Sequence, residues 1–163
     1  MTYQIADEPL ETSLRAYVVR PSVPLLAIML CGSWLAWPWF AFNAIAMGSP
    51  TRRKEIALCV AAFAGTAALA AIVIGLVQAG VIAPGVPERI ALLVVRTYKL
   101  AISYYISAVQ ERTFHVYEYY GGPIRGAGWV LSAGYWLRGL VIGMSDDPLW
   151  IIIVSGGLAA GGL

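Results

Sequence analysis

Two long uncharged runs decide the fold of this chain: VPLLAIMLCGSWLAWPWFAFNAIAM at residues 23–47 and IALCVAAFAGTAALAAIVIGLVQAGVI at residues 56–82. The short basic link GSPTRRKE, residues 48–55, joins them. Because an α-helix rises about 1.5 Å per residue, either run is long enough to cross a hydrocarbon core of roughly 30 Å. A helix also satisfies its own backbone hydrogen bonds, as a segment in lipid must. We therefore predict a transmembrane helical hairpin, with the rest of the chain arranged around it.

The composition also favours a membrane protein. Of 163 residues, 60% are hydrophobic and only 12% are charged, whereas soluble domains carry about 25% charged residues. The net charge of +2 is small and the basic residues are scattered, so we expect no nucleic-acid partner. We predict an all-α polytopic membrane bundle of about four to five helices around the hairpin. Its predicted parts are a polar tail at residues 1–22 and one membrane domain at 23–163, with helices at about 23–47, 56–82, 88–120, 127–144 and 148–163.

The basic link predicts the orientation of the hairpin. Arg52, Arg53 and Lys54 are three consecutive cations in a short loop, and such loops are retained in the cytoplasm. We therefore expect residues 48–55 to be cytoplasmic and the two far ends of the hairpin to face the other side. Gly48 is expected to end the first helix, and Pro38 is expected to kink it.

Small residues recur at four-residue spacing, which lets membrane helices approach closely. They predict packing faces on the second run, against neighbours in the same chain or against another copy. A later apolar segment carries one more such pair. The predicted packing residues are Ala57, Ala61 and Gly65, then Ala67, Ala71 and Gly75, and finally Gly139 and Gly143.

Cations enter the apolar sequence after residue 88. Arg96 and Lys99 share helical spacing with Ser103, Ser107 and Gln110, which puts them on one polar stripe. A helix at 88–120 could lie in the membrane interface, or it could span with the stripe facing a bundle interior. A third cation, Arg138, is either a functional intramembrane residue or extends toward Asp146 and the water beyond.

A second polar face follows at the end of the same segment. Glu111, His115 and Glu118 lie four and three residues apart, so a helix presents them together. Imidazole and carboxylates can bind zinc or iron, but these three are too few and His115 is the only histidine. An ordinary Glu111–His115 pair on a solvated helix end is the alternative. We predict no metal, no cofactor and no enzymatic activity.

Several stretches together resemble a family. The apolar run ending near Asn43, the basic link, the second run and the segment from Gln110 to Gly122 before Trp129 are similar to a pattern in uncharacterised small multi-pass bacterial inner-membrane proteins. The resemblance implies a location in a bacterial inner membrane and implies no chemistry.

Two functions then compete. The first is a non-catalytic subunit or assembly partner of a membrane complex, whose partners are the lipid bilayer and other membrane subunits or further copies of itself. The second is a homo-oligomeric pore, transporter or membrane-perturbing effector with Arg96, Lys99 and Arg138 as a cationic lining.

Overall fold

The computed structural model describes residues 12–155, and within that range all regular secondary structure is helical, with no strand. This confirms the predicted all-α class. A single 3-10 turn at Arg15–Tyr17 precedes six α-helices. These are α1 (Ser22–Leu30), α2 (Ser33–Ala46), α3 (Arg52–Gln78), α4 (Val86–Tyr119), α5 (Gly128–Ile142) and α6 (Pro148–Val154). Of the six, α3 and α4 are long and apolar enough to cross a membrane.

The helices α3 and α4 form an antiparallel pair. A turn at residues 79–85 connects them, and its Gly80 and Gly85 have positive φ angles of 70° and 104°, which glycine adopts without steric cost. The hydroxyl of Tyr98 on α4 donates to Ala61 O on α3 at 3.4 Å. The ring of Tyr98 covers Gly65, where an added Cβ would lie 2.1 Å from the Tyr98 hydroxyl. Gly65 therefore permits close approach within the chain, in agreement with the intramolecular alternative for this residue.

The helix α3 begins earlier than the predicted residue 56. Arg52, Arg53 and Lys54 form its first turn and are exposed, although cations are unfavourable beside the positive end of a helix dipole. Glu55 follows them and is fully buried. We call the end of the bundle that carries these three cations the basic end.

The first apolar run is not one helix, so the prediction of a single helix at 23–47 is wrong. It breaks at Cys31 and Gly32, and Gly32 has a φ of 111°. Pro38 lies inside the continuous α2 and does not interrupt it. The two pieces have nine and 14 residues, or about 13 Å and 21 Å, so each is too short to cross a bilayer alone.

The helices α1 and α2 fold back on each other as a short hairpin. The Asn43 side chain near the end of α2 accepts from Val19 N and donates to Val19 O, at 3.0 Å each. Thr12 Oγ1 donates to Ala46 O at 2.6 Å. The start of α1 and the end of α2 therefore both lie at the basic end. The prediction that the two ends of the run at 23–47 lie on opposite sides is therefore wrong. We call α1 and α2 together the α1–α2 hairpin.

Part of the predicted polar tail belongs to this core. Val18 and Val19 are buried, at 0% and 3% exposure, and Arg125 N donates to Val18 O at 2.8 Å. Residues 1–11 of the predicted tail lie outside the described residues.

The last two helices close the bundle beside the hairpin. The α5 residue Gly134 packs against Leu35 of α2, where an added Cβ would lie 2.4 Å from the Leu35 side chain. Asp147 caps the N-terminus of α6 by accepting from Leu149 N at 2.9 Å, and Trp150 Nε1 donates to Val141 O at 3.0 Å. The helix α6 ends at Val154, and the remainder of the predicted helix, residues 156–163, lies outside the described residues.

The main core is built around the α1–α2 hairpin. Trp37, Phe40 and Ile28 are fully buried there. Trp37 packs edge-to-face on Phe63 of α3, with ring centroids 4.5 Å apart, a geometry that aromatic pairs prefer. The short hairpin is thus held by apolar packing as well as by its polar contacts.

Candidate functional site

A polar seam runs through the interior of the bundle. It consists of four buried polar residues of α4 with exposures from 0% to 7%, namely Lys99, Ser103, Ser107 and Gln110. These are members of the polar stripe seen in the sequence. Each one forms a hydrogen bond to a different part of the surrounding elements, so we describe them in turn.

Lys99 binds the C-terminus of α6. Its ammonium donates to Ile152 O and Ile153 O at 2.9 Å each, and also to Ser155 O. These are carbonyls that a helix end leaves without partners, at the negative end of the helix dipole. An ammonium has three N–H donors, so the donors of Lys99 are all used.

The end of α6 also meets the beginning of α2. Ser33 is the first residue of α2, and its hydroxyl donates to Ile153 O. The positive end of the α2 dipole therefore lies next to the negative end of the α6 dipole, with the Lys99 ammonium on the same carbonyls. This junction lies in the bundle interior, since Ser33 and Lys99 are 0% and 2% exposed.

A second cation caps a second short helix. Arg138 on α5 donates from Nη1 to Leu30 O, the last carbonyl of α1, at 3.4 Å. No ion pair joins it to Asp146 or Asp147 in residues 12–155, so the predicted extension of Arg138 toward Asp146 is replaced by this cap. Arg96, the third predicted cation, is half-buried on α4. Two of the three predicted lining cations thus hold helix ends.

The remaining seam residues hold the α1–α2 hairpin against α4. Ser103 Oγ accepts from Trp37 Nε1 at 2.9 Å, and Ser107 Oγ donates to Pro21 O at 3.2 Å. Gln110 Nε2 donates to Phe40 O at 2.7 Å, while its Oε1 accepts from Asn43 Nδ2 at 3.4 Å. Sequence reasoning did not identify Asn43 as a key residue, although a lone amide inside an apolar run is the signal that could have done so.

A separate buried carboxyl lies at the basic end. Glu55 Oε1 accepts from Ser49 Oγ at 2.5 Å and from Thr51 Oγ1 at 2.8 Å. The second oxygen, Oε2, is buried and has no hydrogen-bond partner among the described residues. The hydroxyls of Ser49 and Thr51, just before α3, therefore hold the Glu55 side chain.

The predicted acid–histidine face is on the surface. Glu111 Oε1 lies 3.8 Å from His115 Nε2, and the side chains of His115 and Glu111 are 69% and 44% exposed. Glu118 Oε1 accepts from Arg20 Nη2 at 3.5 Å. Within residues 12–155, no three His, Cys, Asp or Glu side chains come together in a way that could hold a metal ion.

The predicted packing residues separate into two groups. Gly65 contacts Tyr98, as described above, whereas a Cβ on Gly75 or Gly139 would meet nothing within 4 Å, and one on Gly143 only the backbone of its own helix. The face of α3 that is buried in the chain is different from the predicted ones and comprises Glu55, Cys59, Ala62, Thr66 and Ala70.

One continuous exposed line of small residues remains on α3. Its members are spaced alternately four and three residues apart along the helix, and all are exposed. It includes four of the predicted packing residues, whereas Ala67 is half-buried. We call this line the α3 small-residue line; it comprises Ala57, Ala61, Ala64, Ala68, Ala71 and Gly75.

Three comparisons of this chain with known proteins found no match. No family model, no curated protein and no solved structure matches the chain.

Proposed function

We propose that this protein is an integral membrane protein whose helices α3 and α4 span the bilayer, with the basic end in the cytoplasm of a bacterial cell. Large apolar side chains on the outer faces of these helices support this proposal. Val60, Ile72, Ile90 and Val94 are each more than half exposed, and soluble monomers avoid exposed apolar surface on this scale. The α1–α2 hairpin then enters the membrane from the cytoplasmic side and returns to it.

Within that setting, we propose that the chain is a non-catalytic subunit or assembly partner of a membrane complex. The α3 small-residue line carries this proposal. Its residues are spaced alternately four and three apart, so the small side chains stay on one side of α3. A helix with this repeat can pack along a partner helix at a small crossing angle. Small residues allow the backbones to approach closely, which strengthens helix association in lipid. Inside the chain, the polar seam is occupied by internal hydrogen bonds.

The test is to enlarge two residues of the line. In Ala64→Ile with Ala68→Ile, larger side chains would separate α3 from a partner helix without touching the intramolecular seam. The matched control is Ile72→Leu, an exposed change on the same helix beside the line. After extraction of the full chain from its native membranes in mild detergent, we expect wild type and control to keep the same partner at fixed stoichiometry. The double variant should lose it. Equal retention by all three proteins would reject the proposal.

The second candidate is a homo-oligomeric pore, transporter or membrane-perturbing effector. The observation that favours it is the meeting of the α2 N-terminus and the α6 C-terminus inside the bundle, since transporters build substrate sites from such opposed helix ends. The use of all three Lys99 donors on α6 carbonyls counts against a free cationic lining. Flux of anions across vesicles that contain the purified chain tests it: flux that Arg96→Ala reduces would support this candidate, and absence of flux would reject it.

A further inference from the structure

A cavity opens at the end of the bundle opposite to the basic end. It has a volume of about 310 Å³ and lies between α3, α4 and the start of α6. Its walls are mainly apolar, with Ile74 and Val77 from α3, Leu92 from α4 and Ile152 from α6. Sites for small organic ligands begin at about this size and have mostly apolar walls with a few polar groups.

The polar side chains of this cavity are two carboxyl groups and one amide. Glu88, Asp146 and the amide of Gln78 line it, and no Lys, Arg or His does. Glu88 Oε2 accepts from Gly85 N at 3.4 Å. In the part of the chain that the structure describes, no cationic side chain forms an ion pair with Glu88 or Asp146. The cavity thus combines apolar walls with two carboxyl groups that form no ion pair with a cation of residues 12–155.

From this combination we propose that the cavity binds a small amphipathic organic cation, such as an aromatic amine or quaternary ammonium compound. The apolar part of such a ligand leaves water and packs against Ile74, Val77 and Leu92, which favours binding in proportion to the apolar surface that is buried. The positive group is attracted by Glu88 and Asp146, whereas an anion of the same size is repelled. No residue of the polar seam or of the α3 small-residue line is among the residues that line this site, although its lining residue Ile152 accepts a hydrogen bond from Lys99.

Two probes of similar size and opposite charge test the proposal. The full chain in nanodiscs of a zwitterionic lipid is titrated with benzyltrimethylammonium and, separately, with benzenesulfonate, and empty nanodiscs serve as the blank. We expect saturable binding of one cation per chain and no binding of the anion above the blank. Binding of both probes to the same extent would overturn the proposal.

Charge-neutralising variants locate the site. Glu88→Gln and Asp146→Asn remove one negative charge each, and glutamine can still accept from Gly85 N. Each should weaken cation binding by about three- to tenfold, as expected for one partly solvated charge pair. Leu92→Phe, which fills the cavity, should also weaken it. The control Glu111→Gln removes a partly exposed carboxylate toward the other end of α4 and should bind as wild type does. Unchanged affinity in both Glu88→Gln and Asp146→Asn would overturn the proposal.

Discussion

Lys99 on α4 donates a hydrogen bond of 2.9 Å to Ile153 O on α6, and this contact explains why a cation lies inside an apolar helix. A buried charge is costly unless it is paired or hydrogen-bonded. Here the charge is 2% exposed and lies at the negative end of the α6 dipole, on carbonyls that have no other helix partner. Arg138 likewise donates a hydrogen bond to a helix-terminal carbonyl, Leu30 O at the end of α1.

Loss of the Lys99 cap should destabilise the fold. In Lys99→Met the α6 carbonyls lose the three Lys99 hydrogen bonds in a buried place, although Ile153 O keeps its bond from Ser33 and Ile152 O keeps one from Ser155. A hydrogen bond to a charged group contributes about 1.5–3 kcal/mol. We expect a lower midpoint of thermal unfolding in detergent. Arg89→Met, which removes an exposed cation from the same helix, is the control and should unfold like wild type. Equal stability of Lys99→Met and wild type would show that the cap is not structural.

Asn43 should be essential to the α1–α2 hairpin. Asn43→Leu keeps a side chain of similar size but removes both hydrogen bonds to Val19, so that a backbone N–H and a carbonyl lose their Asn43 partners in the core. We expect a loss of about 2–4 kcal/mol in the free energy of unfolding, measured by chemical denaturation in mixed micelles. Phe42→Leu, the exposed neighbour, is the matched control. A smaller loss in Asn43→Leu than in Phe42→Leu would contradict this role.

Two glycines of α3 should respond in opposite directions to alanine. Gly65→Ala places a Cβ 2.1 Å from the Tyr98 hydroxyl, so the Tyr98 ring must leave its position and stability should fall. Gly75→Ala adds a Cβ in open space and should raise helix stability by up to about 1 kcal/mol. The midpoints of thermal unfolding of the two variants, compared with wild type, show whether each change lowers or raises stability. In the Tyr98→Ala background there is no ring for the new Cβ to meet, so adding Gly65→Ala should not lower stability further. If it does, the clash with Tyr98 is not the cause of the destabilisation.

The α1–α2 hairpin makes a sharp prediction about sidedness. Ser13, Pro50 and Val81 are exposed, and the two native cysteines are buried. In intact membrane vesicles, an impermeant maleimide should label Ser13→Cys and Pro50→Cys from the same side and Val81→Cys from the other. If residues 23–47 crossed the membrane as one helix, Ser13→Cys would be labelled together with Val81→Cys.

The polar stripe of α4 was predictable from the sequence, but its role was not. Helical spacing alone places Lys99, Ser103 and Gln110 on one face. The same spacing is compatible with headgroups, with a pore or with a protein interior. Its partners are backbone atoms far away in the chain, such as Phe40 O for Gln110 and Ile152 O for Lys99. Every residue carries the same backbone carbonyl, so no sequence pattern can predict which carbonyl a side chain will bind.

The sequence by itself determined that this chain is helical, because its long uncharged runs can satisfy backbone hydrogen bonds and bury apolar surface in that way. It also determined where α3 and α4 lie to within a few residues. Only the tertiary structure decided that the run at 23–47 folds back at Gly32. The sequence is apolar and uncharged on both sides of that glycine, and the fold-back depends on long-range contacts from Asn43, Ser33 and the seam of α4. The physical reason is that a helix is held by local hydrogen bonds, whereas a hairpin of two short helices exists only through partners distant in sequence.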